Sequence, residues 1–262
     1  AVMLATAGAH SAALRLHRRT SPAALNRVAA SGWSEDESVL AKAIAIRAEK
    51  LQQSTVFHFD TDWTPKVSLE WQVGGAGANG FEGVYKPETE TIYFPIHVIY
   101  EFNARQKRGA TALSAQTAAQ DRQLAELLDH ELGHELTDQV SRRNGLGPWF
   151  TEQRFDASTR EEKLGLDILS EGTALFFQRV NFPQPKSQLS EQLFPATREE
   201  QRSYTYETVA YDGGYWIVHD VLSQYGEHGL VWLMQHPFVA RDDMRAAAVE
   251  YHRRALDELA AR

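Results

Sequence analysis

The 262-residue chain contains no cysteine. That excludes disulfides and thiolate metal ligands, so any metal must be held by His, Asp or Glu. It contains no run of about 18 or more apolar residues, so no transmembrane helix is expected. It lacks a basic surplus. Its 27 Lys and Arg stand against 35 Asp and Glu, a formal net charge of −8, and nucleic acid is not an expected partner. There is no internal repeat and no low-complexity linker. What is there, 43% hydrophobic and 24% charged, is ordinary globular composition on a chain long enough to bury a core without staples.

Acidic residues are missing locally as well. Residues 1–34 hold no Asp or Glu, and 15–19 form a basic cluster. Two readings stay open, a targeting remnant or a helix whose basic face packs on the acidic body, and the packed helix is favoured. The sequence starts on Ala1 rather than Met. Residues 1–12 read either as the tail of a signal peptide with its small-residue cleavage site or as a plain helix start. The compartment stays open, with a lean towards export.

The chain divides into three stretches of one expected domain, 1–262. Residues 1–54 read as helical, because 37–52 sets Val39, Leu40, Ala43, Ile44 and Leu51 near one face. Residues 55–143 carry the strands and one long helix. The segments 55–59 and 66–73 have β patterning, and 74–80 is a glycine-rich loop. A polar turn, 86–90, joins 83–85 to 91–94 as a hairpin. The long helix covers 118–143 and stops at Asn144-Gly145. Residues 144–262 read as helical, with helices at 161–180, at 214–225 ended by Gly226, and from 242 onward. Loops fall at 145–158 and 181–211.

The long helix carries His130-Glu131-Leu132-Gly133-His134. Residues four apart on a helix lie about 40° apart in projection, so both imidazoles can reach one ion. Zinc accepts such nitrogen ligands and keeps a position open in catalytic sites. Glu131 can then serve as general base towards a metal-activated water. Leu124, Leu127, Leu128, Leu132 and Leu136 make this a buried helix, where unpaired imidazoles and a carboxylate are costly to keep. A third ligand is needed. Glu171 lies 37 residues after His134, among the apolar Ile168, Leu169, Ala174, Leu175 and Phe176. Asp167 and Asp138 compete for that place. Each reads better as an acceptor that orients a ligand.

These segments resemble the gluzincins, zinc peptidases whose third ligand is a Glu on the following helix. The resemblance spans about residues 83–234. It rests on the helix motif, on Leu169-Ser170-Glu171-Gly172-Thr173-Ala174, and on Tyr211-Asp212-Gly213-Gly214, which is similar to the Tyr-x-x-Gly of the aminopeptidase-like group. It implies His130, His134 and Glu171 as zinc ligands, Glu131 as catalytic base and Tyr211 as donor to the oxyanion, with Tyr215 as the rival phenol. It also implies an edge strand at the hairpin, along which an extended peptide can pair. Residues 77–82 differ from the Gly-Ala-Met-Glu-Asn of those aminopeptidases, so the resemblance does not extend to a strict aminopeptidase.

The expected fold is therefore α+β and zincin-like. A small sheet and the active-site helix lie over a mainly helical lower part, with a cleft between them and zinc at its floor. The expected activity is zinc-dependent hydrolysis of a peptide or protein substrate. The alternatives are a zinc hydrolase acting on a non-peptide bond and a non-catalytic binding module on the same scaffold. Oligomeric state and cleavage position stay open.

Overall fold

The computed structural model describes residues 16–17, 35–70, 83–96, 114, 116, 118, 121–183 and 189–262. The expected N-terminal helix lies outside these residues, apart from a two-residue strand at 16–17. The glycine-rich loop at 74–80, residues 71–73 of the strand expected at 66–73 and residues 119–120 of the helix expected at 118–143 also lie outside them. Helix dominates, beside a small mixed sheet, in keeping with an α+β class. Among the described residues no helix is long and apolar enough to cross a membrane. The chain divides into two compact units, with the division after Glu135.

The first unit holds β1 (Leu16–His17), α1 (Glu35–Ser54), β2 (Thr64–Pro65), β3 (Val67–Glu70), β4 (Val84–Lys86), β5 (Thr91–Pro95) and the first part of α2 (Arg122–Arg143). Three acids open α1, where they complement the helix dipole, and its apolar face is buried through Leu40, Ile44 and Leu51. Glu37 accepts a hydrogen bond from the Leu69 backbone N–H at 3.2 Å and so ties α1 to β3. The three-stranded sheet runs β3-β5-β4. β3 lies parallel to β5, and β4 antiparallel to it as the expected hairpin.

The expected strand at 55–59 is not one. Phe57 and Phe59 are each 1% exposed, as alternation predicts, but the backbone N–H groups are spent on the end of α1. The Phe59 N–H donates to Gln52 Oε1 at 3.0 Å, and the Phe57 N–H donates to Thr55 Oγ1. Alternation encoded burial without pairing.

α2 buries Leu124, Leu128, Leu132, Leu136 and Val140, a stripe at four-residue spacing. It ends at Asn144-Gly145 as expected. Gly145 takes a φ of 74°, and the N–H groups of Gly145 and Leu146 donate to the carbonyls of Arg142 and Ser141. This is the paired bonding of a glycine-terminated helix.

The second unit holds the rest of α2, α3 (Glu152–Ala157), α4 (Arg160–Asn181), two short 3-10 turns, a π-helical turn (Glu207–Gly213), α5 (Gly214–Gln235) and α6 (Met244–Ala260). The Thr159 hydroxyl and the Glu162 carboxylate cap α4 reciprocally. The helix expected at 214–225 stops at Gly226 as expected, at φ 53° and ψ −129°, outside helical space, and a second helical stretch carries α5 on to Gln235. Glycine takes that positive-φ conformation readily, which lets the chain turn between the two stretches. The loop expected to run to Tyr211 closes earlier, because Tyr211 lies inside the π-helical turn.

Candidate metal centre

α2 positions three residues of the site. His130 is 7% exposed, Glu131 is 3% exposed and His134 is half-buried. The two imidazoles stand edge to face, with ring centroids 4.9 Å apart. Glu171 comes from α4. One ligand atom from each of His130, His134 and Glu171 lies within 4.8 Å of the others, a group that can hold a metal ion.

Glycine explains why α4 presents Glu171 where it does. A Cβ on Gly172 would lie 2.2 Å from the carbonyl carbon of Gly214, and one on Gly214 would lie 2.1 Å from the Ile168 carbonyl oxygen. Two helix backbones therefore touch immediately beside Glu171. Any larger residue at either position would force α4 away from the start of α5.

The polar residues around the motif are mostly engaged. Asp129, with 0% exposure, forms a buried ion pair with Arg47 of α1 through both guanidinium donors. Glu135 accepts a hydrogen bond from Trp63 Nε1 at 3.0 Å, and Trp63 stacks on Phe59. Asp138 receives the Arg142 guanidinium at 2.7 Å on one oxygen and the Trp149 N–H at 3.2 Å on the other. It thereby fixes the start of the 145–158 segment. The main chain at Gly83 reaches the motif from the sheet. A Cβ there would lie 3.0 Å from Glu131 Cγ.

Asp167 lies one turn before Glu171 on α4 and is 5% exposed. Its Oδ2 has no hydrogen-bond partner among the described residues. Burial, and then the Glu171 charge, push its carboxyl up to about 8, against the pull of Lys163. The unfolded carboxyl titrates near 3.8, so between the two values the folded chain keeps a proton that the unfolded chain releases. The contribution of Asp167 to the stability of the metal-free protein therefore falls as pH rises through that window, by up to about 1.4 kcal/mol per pH unit. Asp167→Asn is expected to flatten this slope. Thermal melts of chelator-treated protein from pH 5 to pH 8 check it, and parallel profiles for the two proteins would remove Asp167 as the source.

Three tyrosines surround this region of α4 and α5. Tyr211 is half-buried, and its ring meets that of Tyr206 edge-on at 6.1 Å. The π-helical turn makes this contact. Its bonds run i to i+5, as in Gly214 N–H to the Val209 carbonyl, so residues five apart are neighbours. Burial raises the Tyr206 phenol well above its ordinary range, with added repulsion from Glu171, Asp167 and Glu207. Tyr215 is tied elsewhere. The Arg179 guanidinium lies 4.3 Å from its ring centroid, and the same Arg179 pairs with Asp212. His219 hydrogen-bonds Asp220 at 2.8 Å and packs against the Tyr215 ring.

Of the residues expected from sequence, His130, His134 and Glu171 come together as one group, with Glu131 on the same helix. The parts played by Arg47, Trp63, Gly83 and Arg179 were not anticipated, whereas Tyr206 stood among the tyrosines close upstream of Tyr211. The signal available for Arg47 was a lone basic residue on the apolar face of α1. No protein-family model, curated protein or solved structure matches this chain.

Proposed function

We propose that this chain is a zinc-dependent peptidase of gluzincin type on a zincin-like scaffold. The carrying observation is the His130, His134 and Glu171 group, with the buried Glu131 one residue from its first ligand. Two imidazole nitrogens and a carboxylate are a donor set suited to zinc, and three protein ligands leave a position for substrate chemistry. A zinc ion held there would supply Lewis acidity, polarising a carbonyl and lowering the pKa of a water.

The chain's own residues carry the rest. Glu131 takes a proton from the attacking water and passes it to the leaving amine. Tyr211 donates a hydrogen bond to the oxyanion, where charge develops only in the transition state. Tyr211 is preferred to Tyr215 for that task because it is the tyrosine of the Tyr211-Asp212-Gly213-Gly214 segment that carries the resemblance. β4 is an outer strand of the three-stranded sheet, and Gly83, which leads into it, lies against Glu131. That arrangement supports a peptide substrate paired along the strand, in preference to a small non-peptide one.

Metal content by plasma mass spectrometry, after dialysis against metal-free buffer, tests the reading. About one zinc per chain is expected for a site of this kind, with loss of the metal in His134→Ala and weakened retention in Glu171→Gln. No zinc, and none regained on incubation with it, would refute the proposal.

A further inference from the structure

We infer that Gly83 is a positioning residue for Glu131, holding the carboxylate where it can take its proton because no side chain stands at position 83. The inference rests on the reading of Glu131 as general base.

Glycine is not required at 83 for its backbone. The positive-φ glycines among the described residues are Gly145, Gly147 and Gly226. What position 83 requires is space. A Cβ there would lie 2.7 Å from Phe94 Cε1, 3.2 Å from Phe94 Cδ1 and 3.0 Å from Glu131 Cγ. Real Cβ atoms essentially never come under 3.0 Å. A methyl group would thus be wedged between two side chains. Phe94 lies in the middle strand of the sheet with 0% exposure, packed in an interior that yields little. Glu131 is met at Cγ, on the stem that aims its carboxylate, so even a yield of a few tenths of an ångström there is carried on to the carboxylate oxygens.

The chemistry makes such a displacement visible. A general base must come within about 2.6–3.2 Å of the proton it removes. A misplacement of about 1 Å can cost on the order of 10²-fold. Gly83 is therefore set apart from a glycine that merely permits packing. Its substitution presses on the Phe94 ring and on the stem of one catalytic group, and none of its three nearest atoms belongs to a metal ligand.

The test is Gly83→Ala in the full chain loaded with zinc, assayed on a library of internally quenched fluorogenic peptides. The expected result is a loss of about 10- to 100-fold in kcat with KM little changed and zinc content equal to that of the parent. A double-mutant cycle with Glu131→Gln separates positioning from packing. Once the carboxylate is gone, Gly83→Ala should cost little further. A kcat within about twofold of the parent, or the same fold loss in the Glu131→Gln background, overturns the inference. If Gly83→Ala fails to fold, Gly83→Ala with Phe94→Leu removes the ring overlap while keeping the Glu131 contact, and the same cycle is read there. The two levels of failure are distinct. Turnover unaffected by Glu131→Gln overturns the base and Gly83 together, whereas a dead Glu131→Gln beside a fully active Gly83→Ala overturns Gly83 alone.

Discussion

Glu131→Gln is expected to hold about one zinc per chain and to lose about 10²- to 10⁴-fold in turnover. Gln keeps the size and hydrogen-bonding reach of Glu but cannot take a proton. The residue is 3% exposed, so bulk water gains no easy route to replace it. The ligands His130, His134 and Glu171 are untouched. Parallel measurement of metal content and steady-state turnover decides the matter. Full turnover would take the proton-transfer role away from Glu131. Lost zinc would make it a support for the metal instead.

The largest expected effect on stability lies at Arg47. The Arg47–Asp129 pair is buried on both sides, at 5% and 0% side-chain exposure. Removing one partner of a buried pair exposes the other to the full cost of desolvation, about 3–5 kcal/mol. Arg47→Met should therefore lower unfolding free energy by about that amount in urea titrations. Arg47→Met with Asp129→Leu should recover most of it, because apolar replacement of a whole buried pair is often neutral. A loss of less than about 1 kcal/mol in the single variant would mean that water reaches the pair. Asp129 precedes His130 directly, so the pair also anchors the backbone of the first imidazole ligand.

The parts of the site that were legible in the sequence are those encoded locally. His130, Glu131 and His134 fall within one turn of one helix, and helical spacing alone brings them to one side. Glu171 could be picked out because a carboxylate among Ile168, Leu169, Ala174 and Leu175 needs a reason to be there. The stop at Asn144-Gly145 was legible because glycine is the residue that takes the left-handed conformation closing a helix.

What escaped the sequence depends on distant contacts or on backbone detail. Arg47 and Asp129 are 82 residues apart, and nothing in either segment names its partner. The 55–59 segment alternates as a strand does, yet its N–H groups turn back to α1, and periodicity reports only which side chains are buried. Gly226 ends one helix as its signal says, but nothing local announced that a second helical stretch, with Leu230 and Leu233 buried, starts directly beyond it. The importance of Gly172 and Gly214 becomes evident only when two backbones are seen to touch.

The π-helical turn has a consequence for how this segment can be aligned with others. A turn closed by i to i+5 bonds contains one residue more than the α-helical turn it replaces. Relative to a plain helix, residues 207–213 therefore contain a one-residue insertion. Gapless superposition on an α-helical counterpart can match Tyr206 or Gly214, but never both. Tyr211 lies between them, so its apparent equivalent moves by one position depending on which end is anchored. Any correspondence drawn for that tyrosine must place a gap within 207–213 before it compares residue types.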